Sequence, residues 1–490
     1  MFDLFRRLGS QVIIYGFGDA INKVLTILTV PLFSHYLSPA EYGVAGVLAV
    51  TTALLLGLGD LGLTNGIFRF FYEEKEPRRS HLIATTQIAT VAITLAIALL
   101  SLIFSHQLSS LFFKTPDYNY VVILSFFTIP FQMAVQPPLI RLKIEEKVKQ
   151  YTVLALFRVI TTVALSAFLI IGLGRGINGF FEGPLIVAII FAIYILGSSL
   201  KDQRLFFSQE LFRKMFFFGS PYIFSAISIW VINWADRFVL TRLSNLTEVG
   251  LYTLGYTVGM AVMLPIGAFQ SAWNPFFISV SKKPEAKEIY SLVFTYFSLV
   301  ISFFVLLVSV FSRDFFYFFT PESYHGAFNV VPIVSLAYVL NGAFAIMAIG
   351  SFLAKKTVLD MITELIGVLI NLTLLFVLIP YLGRMGAAWA TLGAYVALPV
   401  IMLFLLRKVY PIKYDFLRVF RIALVGFGLY FACKFIWQPS ILNLTWRLLI
   451  VLSYPLFLFL LGFFKEGELK RFRAIKNRIW NKNENPAGAN

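Results

Sequence analysis

Long apolar runs broken by short polar stretches recur along the whole 490-residue chain. Each run is long enough to cross the hydrocarbon of a bilayer as a helix, which takes roughly 20 residues. By that criterion the pattern predicts about fourteen membrane-spanning helices. They fall at 11–35, 44–68, 82–104, 119–140, 152–173, 177–200, 215–241, 249–277, 289–311, 327–353, 358–380, 386–406, 418–437 and 444–464. The fold class is therefore an all-α polytopic membrane protein. A few charges interrupt these runs: Asp19, Lys23, Asp60, Arg158, Asp236, Arg237 and Glu364. A charge near the centre of a spanning helix costs about 3 kcal/mol, so each is expected to face a protein interior or a watery cavity. The charges mark a polar path through the membrane.

Composition agrees with this reading, at 59% hydrophobic and 13% charged residues. Lysine and arginine set the orientation, because short loops rich in them stay cytoplasmic. Arg6 and Arg7 precede the first run, and Lys75, Arg78 and Arg79 follow the second. Arg141, Lys143, Lys147 and Lys149 follow the fourth, and the alternation persists to a basic tail. The opposite loops hold little beyond Lys114, Arg175, Arg242, Arg313 and Arg384. Both termini are expected in the cytoplasm and the chain in the cytoplasmic (inner) membrane. The net charge of +16 thus lies beside anionic lipid head groups and argues for membrane lipids, not nucleic acid, as the partner. The first run contains Asp19 and Lys23 and lacks a small-residue cleavage site, unlike a signal peptide. His35, His81, His106 and His325 stand singly, without metal-ligand spacing, and no cofactor is expected. The lone Cys433 excludes an internal disulfide.

The chain also repeats itself. Leu37-Ser38-Pro39-Ala40-Glu41-Tyr42-Gly43 links the first two runs, and Leu243-Ser244-Asn245-Leu246-Thr247-Glu248-Val249-Gly250 links the seventh and eighth. Lys147 and Leu173-Gly174-Arg175 bracket the fifth run as Lys356 and Leu382-Gly383-Arg384 bracket the eleventh. The offset is roughly 207 to 209 residues in both cases. Six intervening spans, an even number, give the two units the same orientation, an arrangement in which substrate binds at the repeat interface. The expected organisation is a six-helix lobe at 1–214 and a second at 215–410 around a central cavity. Two extra helices at 411–466 and a basic cytoplasmic tail at 467–490 follow.

Leu37-Ser38-Pro39-Ala40-Glu41-Tyr42-Gly43, followed by Asp60-Leu61-Gly62-Leu63-Thr64-Asn65-Gly66, resembles the start of the polysaccharide (oligosaccharide) flippase family. So do Asp236-Arg237-Phe238-Val239-Leu240, Glu248-Val249-Gly250-Leu251-Tyr252 and Ala272-Trp273-Asn274-Pro275-Phe276. These are Wzx-type transporters of the multidrug/oligosaccharidyl-lipid/polysaccharide superfamily. The resemblance implies alternating-access transfer of a polyprenyl-diphosphate-linked oligosaccharide from the cytoplasmic to the outer leaflet. Its lipid tail would stay in the bilayer, beside the extra helices. Glycosyltransferases and a polysaccharide polymerase would be partners in the pathway.

The cations suit that cargo. A diphosphate in low dielectric needs partners such as an arginine fork or a lysine point charge. Arg69, Arg158, Lys23 and Arg237 fall at successive depths from the cytoplasmic side, and these four are the expected substrate-binding residues. Each also has a plainer role. Asp19 and Lys23 have the i, i+4 spacing of an intrahelical pair. Arg69 can snorkel to head groups. Arg158 can pair with Glu364, and Arg237, adjacent to Asp236 and so expected on a different face, can snorkel outward. Asp19, Asp60, Asp236 and Glu364 are candidates for ion coupling or for structural ion pairs. Two alternatives remain: a multidrug/cation antiporter of the same superfamily, and a membrane glycosyltransferase or polymerase. The first prefers an acidic cavity and the second a larger outer loop with catalytic carboxylates.

Overall fold

The structure is a computed structural model and describes residues 21, 24–199, 206–436, 441–465, 467 and 468. Asp19, Lys23 and most of the basic tail lie outside the described residues. Among the described residues every regular element is helical. Twelve helical segments are long and apolar enough to cross a membrane. The other two expected spans fall on the short apolar helix α1 (Val24–Ser34) and on α9 (Pro221–Leu243).

The second expected span is broken. Helix α2 (Pro39–Asp60) stops at Leu61, and α3 (Leu63–Phe70) starts after Gly62. Leu61 and Gly62 both take left-handed backbone, with φ of 50° and 72°, which ends a right-handed helix. Asp60 serves this break locally: its carboxylate accepts from the Thr64 hydroxyl at 2.5 Å and the Thr64 amide at 3.4 Å. Helices α4 (Arg78–Phe113) and α5 (Asn119–Ile144) then pack as a hairpin. Next come α6 (Val148–Ala167), prolonged by a π-helical turn Phe168–Gly172, and α7 (Gly176–Ser199). The seventh expected span is two helices, the short α8 (Gln209–Gly219) and α9.

The duplicated motifs fold into equivalent local structures. Ser38 caps α2 by accepting from the Glu41 amide, and Asn245 caps α10 (Leu246–Gly259) by accepting from the Glu248 amide. Each cap satisfies an amide that the helix cannot. Gly174 and Gly383, which close the bracketed runs, both have positive φ, 63° and 54°. The two capped helices then meet. A Cβ on Gly43 would lie 2.1 Å from the Leu246 carbonyl oxygen, and one on Gly250 would lie 1.8 Å from that of Pro39. Only hydrogens fit there.

Helices α11 (Met263–Val280), α12 (Ala286–Phe319), α13 (Val330–Met347) and α14 (Ile349–Leu353) continue the chain. Helices α15 (Val358–Leu382) and α16 (Arg384–Leu406) form a second hairpin. The last apolar elements, α17 (Phe416–Phe435), α18 (Ile441–Leu452) and α19 (Tyr454–Leu460), pack on α12. A buried ion pair fastens them: Arg447 Nη1 and Nη2 each donate to Asp314 at 2.7 Å. Removing one member of such a pair leaves an uncompensated charge at a cost of about 3–5 kcal/mol. Asp314→Ala should therefore lower the thermal unfolding transition in detergent sharply, and Asp314→Leu with Arg447→Met should restore most of it. An unshifted single variant would mean that water reaches the pair.

Candidate functional site

Three adjoining cavities thread the bundle. One, of about 300 Å³, lies between α1, α2, α9 and α10 and is walled by Trp234, Arg237 and Tyr256. A second, of about 320 Å³, shares Thr26, Gly46, Thr253 and Thr257 with the first. A third, of about 210 Å³, holds Arg158 and shares Val159, Thr162 and Pro184 with the second. Together they make one cleft with a guanidinium near either end. Thr26, Thr29, Thr162, Ser166, Thr253 and Thr257 line the middle. Hydroxyls on both walls can exchange hydrogen bonds with a hydrated sugar.

Arg237 is the most elaborated group in the cleft. Its side chain is 3% exposed and pairs with Asp236 through Nη1 at 2.8 Å. This corrects the expectation that neighbours on a helix turn to different faces: the long guanidinium stem folds back and reaches the adjacent carboxylate. It also excludes outward snorkelling. Tyr252 donates to the other Asp236 oxygen at 2.5 Å. The guanidinium lies over the rings of Tyr256 at 4.5 Å, Trp234 at 5.0 Å and Tyr252 at 5.3 Å. Such aromatic faces stabilise a desolvated cation. Beyond them, Tyr256 and Tyr338 share a hydroxyl contact at 2.8 Å, and Tyr395 donates to Asn233 at 2.9 Å. Among the described residues the Arg237 guanidinium bonds only through Nη1, to Asp236 and to the Asn233 carbonyl. Nε and Nη2 make no hydrogen bond with the described residues, leaving donors for an anion in the cleft.

Arg158 differs. It sits on α6, about 15 Å along the helix from the lysine- and arginine-rich end, partly exposed beside Gln132 in the third cavity. Glu364 does not pair with it: among the described residues neither makes an ion pair. Glu364 lies one turn from Asp360 on α15, and Asp360 accepts from Ser351 at 2.5 Å. Asp236 is thus an ion-pair partner, Asp60 a local cap, and Glu364 a carboxylate with no cation of its own among the described residues.

Arg69 is not in the cleft. It is exposed near the basic end and paired with Glu73 at 2.6 Å. There it borders a second close approach. A Cβ on Gly62 would lie 2.1 Å from the Gly219 carbonyl oxygen, and one on Gly219 would lie 2.1 Å from that of Gly62. Lys214 bonds Glu74 at 3.2 Å and Arg78 bonds Glu210 at 2.6 Å, so α8 is tied to the segment after α3. Glycine pairs thus pin both ends of the second expected span, Gly43 with Gly250 and Gly62 with Gly219.

The aromatic enclosure and the hydroxyl lining were not found in the sequence. Tyr252 and Tyr256 are one turn apart, a readable signal for one face, but Tyr338 and Tyr395 join them from other helices. Arg447 did leave a signal, as a charge within the run 444–464.

A polytopic helical bundle with duplicated elements around a charged cleft has the architecture of a membrane transporter. The chain belongs to the polysaccharide biosynthesis protein family, whose sequence profile matches residues 8–281. A Shigella flexneri protein named "Putative O-antigen transporter" is 22% identical over 391 residues, covering 76% of this chain and 91% of its own. The fold is shared with a lipid II flippase, MurJ, in an inward closed conformation, at TM-score 0.72 and 18% identity, over 91% of this chain and 98% of that one. It is also shared with an inward-facing multidrug resistance transporter of the MATE family, at TM-score 0.60 and 14% identity, over 79% and 94%.

Proposed function

We propose that this protein flips a polyprenyl-diphosphate-linked oligosaccharide from the cytoplasmic to the outer leaflet for surface polysaccharide synthesis. The observation that carries the reading is the cleft: hydroxyls for the glycan in the middle, and Arg158 and Arg237 spaced along it for the diphosphate. The lobes 1–214 and 215–410 alternate around it, opening in turn at the Gly62–Gly219 and Gly43–Gly250 ends. The lysine- and arginine-rich end faces the cytoplasm, both termini with it, in the cytoplasmic membrane. Lys23 adds a further cation to the path. Glycosyltransferases supply the cargo and a polymerase consumes it.

The test is reconstitution of the full chain in liposomes with a fluorescent polyprenyl-diphosphate oligosaccharide loaded in one leaflet. Label crossing to the other leaflet, and no efflux of a cationic dye, is the expected result. Dye efflux without glycan transfer would favour the multidrug reading, which the shared fold also accommodates. A cleft holding arginine cations repels such dyes.

A further inference from the structure

At the charge-poor end, opposite the lysine- and arginine-rich one, two of the few cations reach between the lobes proposed above. Lys114 Nζ donates to the Arg242 carbonyl at 2.9 Å, and Arg242 Nη2 donates to the Leu111 carbonyl. Each cation thus serves the end of the other's helix. Leu111 lies in the last turn of α4 and Arg242 in the last turn of α9, where carbonyls find no partner within their own helix. We propose that this exchange is a latch: it holds the lobes together at the charge-poor end, and breaking it opens that end.

Electrostatics gives the exchange its effect. Helices α4 and α9 end side by side, with the rings of Phe112 and Phe238 6.0 Å apart between centroids. The negative ends of two helix dipoles therefore lie together and repel. A cation placed on each end by the opposite helix offsets that repulsion, and without the pair the ends are driven apart. Both bonds are exposed and end on neutral carbonyls, so each is weak enough to break in a working cycle. A third bond crosses at the same end, from the hydroxyl of Tyr324, in the turn Glu322–Asn329, to the Leu37 carbonyl at 2.6 Å. Helix α9 also carries Arg237, five residues before Arg242 and so about 7.5 Å along the axis. Cargo that shifts Arg237 shifts the latch with it, and this link alone rests on the function proposed above.

Pairs of spin labels test the latch in the full chain, in phosphatidylcholine nanodiscs without cargo. In a Cys433→Ala background, labels at the exposed positions Ser110→Cys and Thr247→Cys report across the charge-poor end, and labels at Lys75→Cys and Gln209→Cys across the basic end. The unaltered latch should give one short separation at the charge-poor end. Lys114→Met with Arg242→Met should raise the fraction at a longer separation there roughly tenfold, the scale of two lost hydrogen bonds, and should not lengthen the basic-end separation. Lys114→Arg with Arg242→Lys, which keeps both cations, should return most of the chain to the short separation. An unchanged charge-poor separation in the methionine double variant overturns the proposal. Lengthening at both ends overturns it too, because that marks a general loosening. If the double variant does not fold, Arg242→Met alone is measured, and an unchanged separation there overturns it. No cargo enters the measurement, so failure of flipping and failure of the latch are separate results.

Discussion

On the flippase reading, Asp236→Asn together with Arg237→Gln should abolish glycan export while the chain still inserts in the membrane. The double change is the informative one. Arg237→Ala alone strands a carboxylate that is 1% exposed, and breaking a buried pair costs about 3–5 kcal/mol of stability. Loss of export in that single variant would mix misfolding with lost binding. Neutralising both members removes the pair without leaving an orphan charge, and Tyr252 can still donate to the amide oxygen of the new asparagine. What is lost is the guanidinium whose Nε and Nη2 make no hydrogen bond with the described residues. Losing a desolvated charge partner of a phosphate costs about 2–5 kcal/mol, a weakening of about thirtyfold or more. Arg237→Lys should retain charge but not the planar fork, and so recover export only in part. Lys23→Gln with Arg237→Gln should also abolish export, but it too strands Asp236, so its insertion and folding have to be measured beside export. Normal surface polysaccharide in a correctly inserted Asp236→Asn/Arg237→Gln protein would remove the cleft from the mechanism.

Gly219→Val should be nearly as damaging by a different route. Even a single carbon there would meet the Gly62 carbonyl at 2.1 Å, and the contact is with backbone, so no rotamer change relieves it. Helices α3 and α8 must separate. Overpacking of this kind costs about 1–3 kcal/mol, enough to disfavour strongly a state in which the basic end is closed. Export should fall to background. Thr253→Cys, in a chain with Cys433→Ala, should label faster with maleimide from the basic side in the Gly219→Val variant than in the parent. Unchanged labelling with unchanged export would show that this contact does not gate the cleft.

Much of the fold was legible because membrane spans are written in local composition. The fourteen expected runs correspond to twelve long helices plus α1 and α9, and the duplicated motifs at Ser38 and Asn245 proved to be matching caps. Boundaries were less legible: apolarity marks where a helix lies in hydrocarbon, while Arg78–Phe113, with 36 residues, runs past it. The break at Leu61–Gly62 was hidden because Leu61, a residue that rarely does so, takes left-handed backbone, and the Gly219 backbone packed against Gly62 comes from a distant helix. Of the three glycines around the end of α2, Gly59 and Gly62 meet close neighbours and Gly57 meets none, a distinction that sequence cannot carry. At the site, the charges were visible as costs, but their partners were not. Arg237 was expected to turn away from Asp236 and instead folds back onto it. Arg158, for which pairing with Glu364 was the plainer alternative, lines a cavity and makes no ion pair with the described residues. Partner choice depends on which helices touch, and that is tertiary information.

The two matching caps have diverged in one respect. Glu41 turns back to the amide and hydroxyl of its own cap residue, Ser38. Glu248 instead reaches across to Arg384, accepting from its amide at 2.9 Å and from its guanidinium. In one copy of the repeated cap the glutamate therefore closes on its own cap residue, and in the other it is strapped to the α15–α16 turn. On the alternating-access reading, opening the charge-poor end would draw the second hairpin along with α10, while the start of α2 is held there by the Tyr324 hydroxyl donating to the Leu37 carbonyl at 2.6 Å. The halves of a symmetric machine have been given unequal inertia.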